Sequence, residues 1–100
     1  MPHEGGRVKD AVTITIGHSR DEPGRAAAQA FAEQWTASGR IVLDVVDWPE
    51  EAASWLRQAN RFTAGNPDAW VVTATARGWA GMRRRLSLTP AWDPSRTYEV

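Results

Sequence analysis

The sequence predicts a small α/β domain in which strands and helices alternate, and three observations carry that expectation. Val12, Ile14 and Ile16 alternate with Thr13 and Thr15, the period of a strand; Ala27, Phe31 and Trp35 recur at helical spacing; and Ile41 to Val46 is an apolar run broken only by Asp44. Strand, helix and strand repeated in this order favour parallel pairing, with the connecting helices laid over the faces of the sheet.

Residues 1–10 are polar and glycine-containing and are expected to form a flexible N-terminal arm, with a single α/β domain over 11–100. The first strand is expected at about 11–16, ended by Gly17. From Pro23 to about Ser38 the pattern turns helical. Asp21 suits the cap, Pro23 the first turn and Gly39 the residue just past the end. The run Ile41, Val42, Leu43, Val45 and Val46 fits a central strand covered on both faces.

That strand is expected to end at Asp47, with Trp48-Pro49-Glu50-Glu51 opening a second helix. Pro49 fits its first turn, and the two carboxylates favour the positive end of its dipole. Ala52, Trp55, Leu56, Ala59 and Phe62 would form its buried face, and Gly65-Asn66-Pro67-Asp68 is a strong stop signal. Trp70 to Ala76 reads as a third strand, Gly78 to Leu86 as a short third helix, and Thr97 to Val100 as a last short strand at a sheet edge. The sum is a small three-layer β-α-β-α-β-α domain with a mainly parallel sheet of three or four strands, a flavodoxin-like or Rossmann-like half-unit.

Composition narrows the function. With 42% hydrophobic and 24% charged residues the chain is expected to fold around one core. Twelve basic residues against twelve acidic ones remove any global attraction to nucleic acid or to an anionic membrane, though not a local one. The absence of cysteine excludes disulfides, thiolate metal sites and cysteine nucleophiles. The apolar runs are too short to span a bilayer and the first residues lack a signal-peptide pattern, so a cytoplasmic domain without membrane contact is expected. Six tryptophans are many for this length, and each indole N–H needs a partner when buried.

In sheets of this kind ligands sit at the carboxyl ends of the strands, which directs attention to three loops: Gly17 to Glu22, Asp47 to Glu50, and Thr75 to Gly78. Gly17, His18, Ser19 and Arg20 precede a helix N-terminus, whose free N–H groups attract anions, although Asp21 competes for that position and neither glycine-rich phosphate fingerprint is present. His18 is the histidine of the folded part, since His3 lies in the arm, and is expected to be solvent-exposed in a loop. Asp47 is expected to cap the second helix. Arg83, Arg84 and Arg85, with Arg77 before and Arg96 after, make the C-terminal quarter basic, while 41–56 is acidic. Three consecutive arginines on a helix do not all face one partner, but beside exposed Trp79 and Trp92 they form a candidate binding surface.

Two short resemblances arise from these residues. Gly17-His18-Ser19-Arg20-Asp21 after a strand resembles the opening loop of the cobalt and sirohydrochlorin chelatases, a Gly-His-Gly-Ser-Arg-Asp type sequence. The second glycine is absent here, as is the additional C-terminal histidine that family uses on the metal. Gly65-Asn66-Pro67-Asp68 before an apolar strand resembles a stretch in the first lobe of extracellular solute-binding proteins, whose two lobes need a far longer chain. Neither resemblance carries a diagnostic set, and no family follows from them.

The leading functional expectation is a non-catalytic protein-interaction or regulatory domain. It would meet a protein partner or a second copy through Trp79, Trp92, Arg83, Arg84 and Arg85. The alternative is a small enzyme or sensor binding a phosphate-containing ligand through Gly17, His18, Ser19, Arg20, Asp47, Thr75 and Arg77. Nucleic-acid binding, through stacking tryptophan and arginine, ranks third. No catalytic set, metal-ligand set or cofactor motif stands out, so the reading leans away from an enzyme.

Overall fold

A computed structural model describes residues 10–100, so all but the last residue of the expected arm lies outside the described residues. The chain forms β1 (Thr13–Ser19), α1 (Glu22–Ala37), β2 (Ile41–Trp48), α2 (Leu56–Thr63), β3 (Ala69–Val72), α3 (Ala76–Leu86) and β4 (Thr97–Glu99). All strand pairs are parallel, in one four-stranded sheet of order β2-β1-β3-β4. This is the order of the first four strands of a flavodoxin-like sheet. Among the described residues, no helix is long and apolar enough to cross a membrane.

The sheet separates two hydrophobic clusters, which makes the three layers. On one face Ile14, Ile16 and Val71 meet Ala28 and Trp35 of α1. On the other, Val46, Trp48, Trp70 and Val72 meet Phe62 of α2 and Trp79, Met82 and Leu86 of α3. Trp48 and Trp70 are fully buried. Each removes about 150–250 Å² from water, roughly 4–6 kcal/mol at about 25 cal/mol/Å². Their indoles are also satisfied: Trp48 Nε1 donates to the Gly78 carbonyl at 3.0 Å and Trp70 Nε1 to that of Phe62 at 2.7 Å. Trp35 Nε1 lies 3.2 Å from both the Val12 and the Ile41 carbonyl oxygens and ties the starts of β1 and β2 to α1.

The α1 expectations hold at both ends. Asp21 accepts from the Gly24 N–H at 2.7 Å, and Gly39 adopts φ +86° just past the helix. Its buried stripe is Gly24, Ala28 and Trp35, with Phe31 half-buried and Ala27 exposed, one position from the stripe read in the sequence.

Four other expectations are corrected. Gly17 does not end β1, which continues through His18 and Ser19. A Cβ at Gly17 would lie 2.5 Å from Trp48 Cζ3 and 2.7 Å from Phe62 Cε1, so this glycine admits two rings to the sheet and does not break the strand. β2 is an edge strand rather than a central one, with Ile41, Leu43 and Val45 exposed. Its register against β1 skips Leu43, a bulge, and the Asp44 carboxylate accepts the Val45 N–H at 2.8 Å while holding Arg61 at 3.0 Å. Bulges and charges of this kind blunt an edge against strand addition.

The second helix does not start at Pro49. Trp48 is the last residue of β2, and 49–55 form a loop that Trp55 Nε1 closes on the Pro49 carbonyl at 3.0 Å. Glu50 and Glu51 are drawn to α3 instead, to Thr75 Oγ1 at 2.6 Å and to Arg77. In consequence Ala52 and Leu56 are exposed and Trp55 half-buried, while Ala59 and Phe62 are buried as expected. Finally, β3 stops at Val72 and α3 starts at Ala76, because Thr75 caps that helix by accepting the Gly78 N–H at 3.0 Å.

Candidate functional site

The strand order reverses about β1, with β2 on one side and β3 on the other, so the usual ligand crevice lies over the ends of β1 and β3. Here the chain fills it with its own groups. Ser19 Oγ accepts the Thr75 N–H at 3.0 Å and donates to Asp21, whose other oxygen caps α1. Thr73 Oγ1 donates to the Gly24 carbonyl at 2.9 Å. Gly24 and Gly78 let the two helix starts close in: a Cβ on Gly24 would lie 2.9 Å from the Thr73 carbonyl oxygen, and one on Gly78 would lie 2.8 Å from Ser19 Cβ. The Ser19 hydroxyl and then the Gly24 N–H hold the Asp21 carboxyl below the usual carboxylate range. Asp21 therefore occupies the positive end of α1.

Beside this knot a cleft of about 320 Å³ is lined by His18, Arg20, Asp21, Glu22, Arg25 and Asp47. Of the residues proposed from sequence for a ligand, His18, Arg20 and Asp47 meet in it. Ser19 and Thr75 lie in the adjoining knot, Gly17 sits under the rings, and Arg77 is turned to Glu51. His18 is not an exposed loop residue but a strand residue only 6% exposed, directly beside Asp47 in the β1–β2 register. Its Nδ1 lies 2.8 Å from the Ser19 carbonyl oxygen. Asp47 caps no helix; it pairs with Arg20 at 3.4 Å. Arg25 pairs with Glu22 across one turn of α1. Among the described residues, no three His, Cys, Asp or Glu side chains are placed to hold a metal ion.

A second surface lies on the outer side of α2 and α3. Gly81, Arg84, Arg85 and Leu88 follow the i, i+3, i+4, i+7 spacing of one helix stripe and line a groove of about 130 Å³ with Ala53, Ser54 and Trp55. Gly81 admits the Trp55 ring, since a Cβ there would lie 2.7 Å from Trp55 Cζ2. Across Ser54 a wider depression of about 740 Å³ includes Leu56 and Arg57. Leu56 is 51% and Leu88 71% exposed.

Arginine partners divide the molecule. Arg20, Arg25, Arg61, Arg77 and Arg96 each meet a carboxylate. Arg57, Arg83, Arg84 and Arg85 meet none among the described residues. Arg83 does not line the groove; at about 100° per residue it falls on the other side of α3 from Arg84 and Arg85.

The tryptophans expected at this surface are mostly elsewhere. Trp79 is 6% exposed and packs between Trp48 and Trp92, at ring-centroid separations of 6.1 and 6.3 Å. Trp92 is half-buried, with Nε1 donating to Thr97 Oγ1 at 2.8 Å. Both were expected exposed because they fall near element ends, but Trp79 lies within the core cluster on this face of the sheet and Trp92 packs against it. Leu56, Arg57 and Leu88 had no distinguishing pattern in the sequence, where Leu56 reads as a core position.

These features define a four-stranded all-parallel α/β domain with a closed switch-point crevice and an arginine-lined groove. Compared with protein families, with curated proteins and with solved structures, the chain matches none of them significantly.

Proposed function

We infer that the chain is a protein-interaction domain whose α2–α3 groove docks an acidic segment of a partner protein carrying apolar side chains. The observation that carries this reading is the groove formed by Arg84, Arg85 and Leu88, in which the exposed Arg84 and the half-buried Arg85 have no carboxylate partner among the described residues. Arg57 and Leu56 extend the same combination past Ser54. Arginine next to exposed leucine offers a partner both bidentate charge pairing and apolar burial. Nucleic acid is the weaker occupant because Trp79 is buried and Trp92 half-buried against it, which leaves the arginines without a broad stacking platform.

A synthetic amphipathic peptide with glutamates on one face and leucines on the other is a suitable probe, read by fluorescence anisotropy. The double variant Arg84→Glu with Arg85→Glu should bind it roughly a hundredfold more weakly, with the melting temperature of the wild type. Arg83→Glu, which changes the charge outside the groove, should cost under about fivefold. Equal losses for the two variants would make the attraction a diffuse one and refute the groove. Equal binding of a peptide with serine in place of leucine, or tighter binding of a single-stranded oligonucleotide, would refute a protein partner.

A further inference from the structure

The cleft at the ends of β1 and β2 is a separate site, and its charges specify a ligand. His18 is more than nine-tenths buried, and its Nδ1 faces the Ser19 carbonyl oxygen, which only accepts. When the ring is neutral, this contact puts its proton on Nδ1 and leaves Nε2 an acceptor. Nε2 has no hydrogen-bond partner among the described residues and is not one of the fully enclosed unsatisfied atoms, and His18 lines the cleft. An oriented acceptor on a ring more than nine-tenths buried, at the wall of a cleft, can take a hydrogen bond from a donor on a ligand.

Around it the charge is balanced. The Arg20–Asp47 pair has side chains 53% and 46% exposed, and the Arg25–Glu22 pair is more exposed still. Pairs so exposed are weak and open readily to a stronger partner. A simple anion gains little from that opening, because every arginine it takes leaves a carboxylate facing it. Asp21 adds no free acidic group, since Ser19 and Gly24 already occupy it. A ligand bearing both charges can take Arg20 and Arg25 at its anionic end and Asp47 at its cationic end, leaving only Glu22, whose side chain is 75% exposed, to solvent.

We propose that this cleft binds a small zwitterion of the α-amino acid class, with its ammonium group donating to His18 Nε2 and Asp47 and its carboxylate held by Arg20 and Arg25. The volume of about 320 Å³ suits a ligand of that size. The site is independent of the α2–α3 groove, which lies on the opposite face of the sheet.

The test follows the His18 imidazole ¹⁵N resonances, assigned with a His18→Asn variant, while the common L-amino acids are added one at a time. At least one should move Nε2 saturably, and the matching one-charge fragments, such as propionate and ethylamine for L-alanine, should not. Arg20→Gln and Asp47→Asn, whose side chains are about half exposed, should each weaken that amino acid roughly tenfold with the melting temperature little changed. If a simple carboxylate or inorganic phosphate moves Nε2 as strongly as the zwitterion does, the ligand class is wrong. If no amino acid moves it, there is no such site.

Discussion

At the carboxyl end of the sheet nearly every charged group has a partner, whereas along the α2–α3 groove the cations meet no carboxylate among the described residues. Asp21 is held by Ser19 and Gly24, Asp47 by Arg20, Glu22 by Arg25, Glu50 by Thr75 and Glu51 by Arg77. In the groove Arg84 and Arg85 stand beside exposed Leu88 with no carboxylate among the described residues. The two regions use charge differently. One spends it joining β1, α1, β3 and α3, where the fold usually leaves room for a ligand; the other leaves it available for another molecule.

If the carboxyl end is structural, changes there should cost stability. The largest effect is expected from Gly78→Ala, whose methyl group would lie 2.8 Å from Ser19 Cβ and 3.0 Å from Thr75 Oγ1 and force α3 away from β1. Urea unfolding should show a loss of about 2–3 kcal/mol, in the upper range for overpacking. A loss below about 0.5 kcal/mol would mean that the helix start is looser than the contacts require.

Asp21→Ala should cost less, about 1–2 kcal/mol, by removing the α1 cap and the Ser19 bond. The effect has a pH signature. The Asp21 pKa is depressed in the folded chain relative to its ordinary value of 3.8, so its contribution is complete above that value. It disappears as the pH falls through the lower, folded pKa. The variant should therefore lose less stability than the wild type between neutral and acid pH. Asp68 and Asp93, also depressed by hydrogen bonds from Thr13 and Val12 and from Ser95, should preserve part of the acid sensitivity. Parallel acid profiles for variant and wild type would remove Asp21 from this role.

Much of the fold is legible in local sequence because its signals are local. The alternation of Ile14 and Ile16 with threonines, the Asp21 cap, Gly39 past the end of α1 and the short final strand all report on a few neighbouring residues. What failed depends on distant packing. Gly17 resembles a strand terminator until Trp48 and Phe62 are placed against it. Ile41 to Val46 resembles a central strand, but burial cannot be read from hydrophobicity alone, and strand order is set by β1 pairing on both sides. Pro49-Glu50-Glu51 has the composition of a helix start, yet its carboxylates serve α3 instead of a helix of their own.

The candidate sites were less legible for the same reason. His18, Arg20 and Asp47 were visible as residues at strand ends, but their meeting in one cleft required the β1–β2 register. Arg84 and Arg85 stood out by composition. The distinction between them and Arg83, and the leucines beside them, appear only once α3 is seen to bury Trp79, Met82 and Leu86.

The division between occupied and available charge is tested most directly by adding the glutamate–leucine peptide to ¹⁵N-labelled protein and mapping the shifted backbone amides. Shifts concentrated at Ser54, Arg57, Arg84, Arg85 and Leu88, with Arg20 and Asp47 unmoved, are the predicted result. Shifts centred on the carboxyl end of the sheet, or spread evenly over every arginine, would contradict the assignment of the groove as the working surface.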